Sequence, residues 1–556
     1  MQPLFLKLCL LAVILLNMKR IVLSSLLVIT LVSCSSVKKD NARLNVLHSQ
    51  KQLQKDVDFA YKKLKRLHPD LYWYISKEKL DYKFDSLKTT INQPMTSMAF
   101  YKKLAPVVNE VRQGHMMVLP NTFQLTKEER KALIKRGVSP FLQIDLEMID
   151  DKLYVIKNKS GDSLIQIGSE VVSINHKNTS DLLRNYEPLF TSDGFNTTYK
   201  KHRLAKGIGS FYSNENGIQD SVAYAFKWKD SIRKVWIKRK PAEKQTAATD
   251  SVANQKKARK KMTRAMKDSL IAANRHKSIY GYNPETKMYN RNLTFMESDS
   301  SVAVMRINSF SLGRYASFYE KSFEEIKNNN TKTLILDLRN NPGGRLKEIA
   351  ELHSYLTDST VVFADKSEVA SKTSMLATEY FKGGGIVIKI LKGIGYPIYL
   401  SYTLIKVKKN QEGKFLYATS ESKPIPPKTN AFPGKVYVLI NGGSFSASCI
   451  LSSNLKGTKR AVFVGEETGG TYNGTVAGRM PLLKLPNSKL TIRYGLMKIA
   501  PFHKTDIEGR GIFPDVAIVP TLEDRINGID PEMDWILEDI QNNATVVETV
   551  TIDTTE

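Results

Sequence analysis

Hydrophobic positions change their period along the chain, and the changes divide it into regions. Near the N-terminal end, "LQKDVDFAYKKLKRLHPDLYWYI" places Leu53, Val57, Ala60, Leu64 and Leu67 at helical spacing. This predicts an amphipathic helix that Pro69 ends. "MAFYKKLAPVVNEVRQGHMMVLP" predicts a second helix, stopping at Gly114. From about 138 to 240 the pattern alternates instead. "PFLQIDLEMIDDKLYVIKN" predicts two strands about a turn at Asp150-Asp151, and "LIQIGSEVVSINHKN" a further strand. From about 286, "VAVMRINSF", "TLILDLRNNPGG", "KVYVLIN" and "RAVFVGEETGG" read as short buried strands. Between them stand helical stretches such as "RLKEIAELHSYL" and "SASCILSSNLKG". Alternation of strand and helix implies a layered α/β architecture, and 556 residues are too many for one core.

Composition changes this picture in two places. The formal charge is +28, but the basic residues are spread out and no nucleic-acid motif accompanies them. They read as solvated faces rather than a nucleic-acid site. The densest basic segment, 241–285, is Ala/Lys-rich and reads as an insertion, an exposed helix or disordered. The three cysteines, Cys9, Cys34 and Cys449, are too widely spaced for a zinc site or a disulfide framework. No metal or cofactor is expected. Cys34 closes "MKRIVLSSLLVITLVSCSS", where Lys19 and Arg20 precede an apolar run, the form of a secretory signal. Leu31-Val32-Ser33-Cys34 resembles a bacterial lipobox, which implies cleavage before Cys34 and acylation of its thiol. Met18 is then an alternative start. The expected location is the cell envelope, as an outer-membrane lipoprotein facing the periplasm or the cell surface.

Candidate chemistry sits in small-residue turns. In "KVYVLINGGSFSASCILSSNLKG" a strand passes through Gly442-Gly443 into a helix beginning near Ser446. Helix N-terminal amides there favour developing negative charge. A serine at that place is either a nucleophile or an N-cap. In "LILDLRNNPGG" a buried strand runs into Gly343-Gly344, whose N–H groups, with that of Ala447, could hold an oxyanion. In "DIEGRGIFPDVAIVP" Glu508 could orient a histidine.

Together "LDLRNNPGG", "NGGSFSAS", "VGEETGG" and "EGRGIFPDV" resemble, in order, the serine peptidase family of C-terminal processing (tail-specific) proteases and the tricorn core proteases. The phrase "LIQIGSEVVSINHKN" before them resembles part of a PDZ domain, a module that binds extended peptide ends. The resemblance implies a multidomain α/β protein: a crotonase/ClpP-like spiral core, an inserted PDZ-like β domain and an N-terminal helical region. The expected division is a signal peptide at 1–33, a tether at 34–44, the helical region at 45–125 and the PDZ-like domain at 126–240. The insertion at 241–285 precedes a peptidase core at 286–525 and a C-terminal helix with a polar tail at 526–556.

The resemblance places the nucleophile at Ser446. One branch of the family uses a lysine base twenty-five residues beyond the serine, where this chain has Thr471. The base is therefore sought among the histidines. His115, in "VRQGHMMVLP", resembles the position of the catalytic histidine in tricorn-type members, and His503 is the runner-up. The implied triad is Ser446, His115 and Glu508, with Gly343 or Gly344 and Ala447 as oxyanion donors. It would cleave a protein or peptide substrate through an acyl-enzyme. Two other readings stand beside it. One is an inactive member of the fold that binds peptides or other ligands; Cys449, where many members have Glu, and the absent lysine favour it. The other is a lipid-anchored scaffold acting through its PDZ-like domain alone.

Overall fold

The computed structural model describes residues 37–552 apart from 242–262, 297–298, 379, 382 and 384. The expected signal segment and the expected lipidation site at Cys34 lie outside the described residues.

After a short helix at Val37–Ala42, the helix Gln50–Leu67 is opened by a reciprocal capping box between Ser49 and Gln52. Leu53, Val57, Ala60, Leu64 and Leu67 are all buried. A second long helix of the expected helical region, Lys77–Thr90, packs beside it, with Phe84 stacked on Tyr61 at 4.1 Å. The next helix, Ser97–Asn109, ends five residues before Gly114. Arg112 then takes a left-handed φ of 55°. This turns the chain so that His115 leaves the helix axis and Met117–Leu119 can pair with Thr491–Arg493 of the core.

The region from 144 to 238 is an antiparallel sheet. Its strands Ile144–Ile149, Lys152–Asn158, Glu170–Ile174, Ser221–Trp228 and Ser231–Lys238 lie in sequence order. Asp150 and Asp151 have φ of 47° and 59°, as a two-residue hairpin turn with the native strand twist requires. Two helices, Thr179–Tyr186 and Thr198–Asn216, interrupt the strand pattern. The second buries Leu204, Ala205, Ile208 and Tyr212. Part of the basic segment is helical, at Arg264–Tyr280, with only Ile279 of that helix buried.

The core sheet runs Arg291–Met296, Asp299–Ile307, Thr333–Asp337, Lys435–Ile440, Val462–Gly465, Val516–Ala517. The first pair is antiparallel and the others parallel. Period-2 alternation splits the sheet's side chains between two apolar layers. Leu334, Leu336, Val436, Val438 and Ile440 share one with residues of the helices Tyr315–Asn328, Leu346–Ser354 and Ala447–Gly457. Ile335, Tyr437, Leu439 and Val464 face Ile536 of the C-terminal helix Pro531–Ile552. Strands covered on both faces are apolar throughout, which is why they read as unbroken runs. Asp337 pairs with Leu439, so the loops that follow these two strands emerge side by side at the sheet's carboxyl edge. A second antiparallel sheet includes Met497–Ile499 and Thr475–Ala477.

Arg339 ties that edge to the C-terminal helix. Its guanidinium donates to Asp337 at 3.0 Å and to Asp530 at 2.7 Å, and lies 3.3 Å from Glu532. Asp337 and Glu532 are almost fully buried, so removing the cation strands carboxylates away from water. We expect Arg339→Met to lower stability by about 3–5 kcal/mol in urea unfolding. Arg184→Ala, in an exposed pair with Asp181, should cost less than about 1 kcal/mol.

Candidate active site

The turn after Lys435–Ile440 is organised by Asn441, whose Oδ1 accepts from the N–H groups of Gly443 and Asn340 at 3.0 and 2.8 Å. Gly443 is required by crowding: a β-carbon there would stand 2.6 Å from His202 Nε2. The turn delivers Ser446 to the first position of the Ala447–Gly457 helix with φ 58° and ψ −116°. A side chain rarely takes that backbone conformation, which costs of order 1–3 kcal/mol. Ser446 makes no side-chain cap to its helix. Its Oγ lies 2.8 Å from His115 Nε2 instead, with the hydroxyl as donor when the neutral imidazole carries its proton on Nδ1. Local sequence left cap and nucleophile both open; the side chain serves the histidine.

The second loop docks onto the first through Asn341, which is fully buried. Its Nδ2 donates to Ile307 O at 2.8 Å, and its carbonyl accepts from Phe445 N–H at 2.9 Å and Ser448 Oγ at 3.0 Å. Its Oδ1 accepts from Gly343 N–H at 2.9 Å. The Gly343 amide is thereby committed within its own loop, and of the two glycines proposed as oxyanion donors only Gly344 keeps its N–H unengaged. The Gly344 and Ala447 amides have no hydrogen-bond partner among the described residues. Gly343, at φ 91°, packs so closely that a β-carbon would fall 2.6 Å from Ala447 N. On Gly344, at φ 152°, a β-carbon would fall 2.0 Å from Phe310 O. Both positions therefore exclude every other residue.

His115 is held from its neighbours. Gly114 N–H donates to Asp193 Oδ1 at 2.7 Å, and Arg493 Nε donates to His115 O at 3.1 Å. The ring packs on Phe445 at 5.0 Å, and Phe445 stacks on Tyr199 at 4.3 Å. Burial, and then the nearby Arg493 charge, lower the imidazole pKa to about 4. It is neutral at pH 7 and free to accept a proton.

Glu508 is in the neighbourhood but does not hydrogen-bond to His115. Among the described residues its carboxylate accepts from Trp73 Nε1 at 3.2 Å and from Asn473 Nδ2 at 2.9 Å. Its loop is fixed by Glu467, which binds Arg510 Nε at 3.0 Å and Gly511 N–H at 2.7 Å. The direct Ser–His–Glu chain expected from the sequence is thus made in its first link and not in its second. His503, the other candidate base, packs against Gly457 at the far end of the helix that Ser446 opens. Thr471, in the place of a lysine, donates to Gly474 O. Cys449 is buried beside Gly470.

Asp193, in "TSDGFN", carries no sequence signal beyond a turn, yet it holds the Gly114 amide next to the histidine. It is 1% exposed, and its Oδ1 also accepts from Thr475 Oγ1 at 3.1 Å. Oδ2 has no partner. Burial outweighs the two donors and pushes its pKa up to about 7. Three further bonds leave the same segment. Gly194 N–H donates to Arg112 O at 2.8 Å, Phe195 N–H to Gly509 O at 2.7 Å, and Asn196 Nδ2 to Thr468 O at 2.7 Å.

Residues 301–518 match the family model described as Peptidase family S41. A carboxy-terminal-processing protease of Bartonella bacilliformis is 26% identical over 231 residues, which are 39% of this chain and 40% of that protein. The chain therefore aligns with well under half of that relative's length. Among solved structures, mature CPAF matches with a TM-score of 0.53 at 16% identity, over 88% of this chain and 96% of that one. Mature CPAF complexed with lactacystin matches at 0.54 and 15%, over 89% and 98%. At such identities these two likenesses bear on the fold alone.

Because the lowered His115 pKa leaves the base unprotonated down to mild acid, modification of Ser446 by a fluorophosphonate should rise through pH about 4 and level off before pH 6. An acid limb near 6.5, the ordinary histidine value, would contradict this. The check is the rate of labelling across a pH series, with folding followed by circular dichroism.

Proposed function

We propose that this chain, a member of peptidase family S41 through its core at residues 301–518, is a serine peptidase that cleaves protein or peptide substrates through an acyl-enzyme on Ser446. The observation that carries the reading is the 2.8 Å approach of Ser446 Oγ to a neutral, half-buried His115 at Nε2, on a strained serine backbone. Ser446 attacks the peptide carbonyl while His115 takes its proton, then returns it to the leaving amine. Water, deprotonated by the same imidazole, releases the acyl group. The Gly344 and Ala447 N–H groups receive the oxyanion, where each donor is worth about 10²–10³ in rate.

The cost of charging His115 falls on its surroundings. Burial and Arg493 both oppose the imidazolium, so a compensating negative charge is required as the proton moves. Glu508, held by Trp73 and Asn473 without a bond to the ring, is the acid proposed for that role.

The finer architecture belongs to the same proposal. The antiparallel sheet and helices of 126–240 serve as a PDZ-like domain that receives the substrate's end, and 286–525 as a crotonase/ClpP-like core. The lipobox-like tetrad at Leu31–Cys34 supports a lipid-anchored protein of the cell envelope.

Ser446→Ala should lower hydrolysis of an unfolded-protein substrate by at least about 10⁴-fold with the circular dichroism spectrum unchanged. His115→Ala should do the same, and His503→Ala should leave the rate unaltered. Full hydrolysis by purified Ser446→Ala would remove the nucleophile.

A further inference from the structure

The helix Ile386–Lys406 turns an apolar face away from the protein. The face turned to the core is mixed, with Tyr396, Tyr399 and Thr403 beside half-buried Leu400 and Leu404. Thr403 is its only buried residue. The Tyr399 hydroxyl accepts from Arg479 Nη1 at 2.6 Å and lies 3.1 Å from Thr378 Oγ1. Tyr396 and Tyr399 pack on Tyr380 at 5.5 and 4.4 Å. The outer face is an apolar stripe of Val387, Leu391, Ile394, Ile398, Tyr402 and Ile405, at the three- and four-residue spacing of one helix side. Every member is more than half exposed, Ile394 at 72% and Ile398 at 75%. A contiguous surface of this kind marks something that covers it.

Charge identifies the cover. Residues 386–409 contain Lys389, Lys392, Lys406, Lys408 and Lys409 and no acidic residue. Lys372, Lys408 and Lys409 line one cleft with Ile405. An apolar stripe flanked by lysines matches acyl chains beneath anionic headgroups. The helix spans about 30 Å, and no helix among the described residues is long and apolar enough to cross a membrane. It therefore suits the plane of the interface.

We propose that this face docks onto an anionic lipid bilayer, the stripe entering the headgroup–acyl boundary and the lysines meeting lipid phosphates. The proposal is independent of the catalytic reading and of any anchor at Cys34.

The test uses the purified full chain with vesicles of phosphatidylglycerol and phosphatidylcholine that carry a phospholipid with a photoactivatable acyl chain. Adducts are mapped by mass spectrometry. Labelling of residues 386–406 is expected, at least about tenfold stronger than with phosphatidylcholine alone. It should fall by about tenfold or more in the double variant Ile394→Asp, Ile398→Asp. Fluorophosphonate labelling of Ser446 at the wild-type rate checks that this variant folds. The charge-reversed triple variant Lys406→Glu, Lys408→Glu, Lys409→Glu, which leaves the stripe intact, should also reduce labelling. Adducts confined to residues 1–36, or cross-links from this helix to a second copy or to residues 1–36 in place of lipid, would overturn the proposal. So would labelling indifferent to lipid charge.

Discussion

Everything at the active site depends on the docking of one strand-end loop against another, and Asn341 is where it happens. Two parallel strands in register bring the loops 338–344 and 441–446 to the same edge, but adjacency alone does not orient them. Asn341 uses its side-chain amide and carbonyl, and its backbone carbonyl, on partners in three places. A fully buried polar side chain that satisfies all of its groups is rigid, because each alternative leaves a group unpaired in low dielectric. That rigidity sets the spacing between Gly344 and Ala447, the two amides left open. The glycines beside it are needed for close approach as much as for their φ values.

The histidine is positioned by a different device. Its ring nitrogen reaches Ser446, while its backbone is held by Asp193 through Gly114 and by Arg493. Asp193 belongs to the stretch joining the two helices that interrupt the antiparallel sheet. The same stretch touches the loops of Arg112, Gly509 and Thr468. Histidine, acid and the glycine-rich turn after the core's fifth strand therefore share one mechanical reference. The local electrostatics keep the imidazole neutral and push the Asp193 carboxyl pKa up to about 7.

The legible parts of the sequence were those governed by local rules. The period of Leu53 to Leu67 gave a helix with those residues buried, and Asp150-Asp151 marked a hairpin through its left-handed turn chemistry. The apolar runs from 299 to 465 became core strands because burial on both faces requires no alternation. Illegible were the elements whose pattern competes with another. Thr198–Asn216 lies inside a strand-rich region and has two internal glycines, which obscured its helix. Ile386–Lys406 is apolar on the side that helical patterning assigns to a core, yet that side faces outward. At the site, Ser446 and His115, 331 residues apart in sequence, meet in the fold. Short motifs marked both. Asp193, Arg493 and Asn473 act through backbone or second-hand contacts, which leave no motif. Glu508 was legible as a residue and not as a contact, since its carboxylate bonds Trp73 and Asn473 rather than the imidazole.

The left-handed backbone at Ser446 bears on what the chain is for. A β-carbon in that conformation is a standing burden that glycine would lift at once. On the proposed reading, that burden holds an oxygen outward, unsatisfied by its own helix and 2.8 Å from the imidazole.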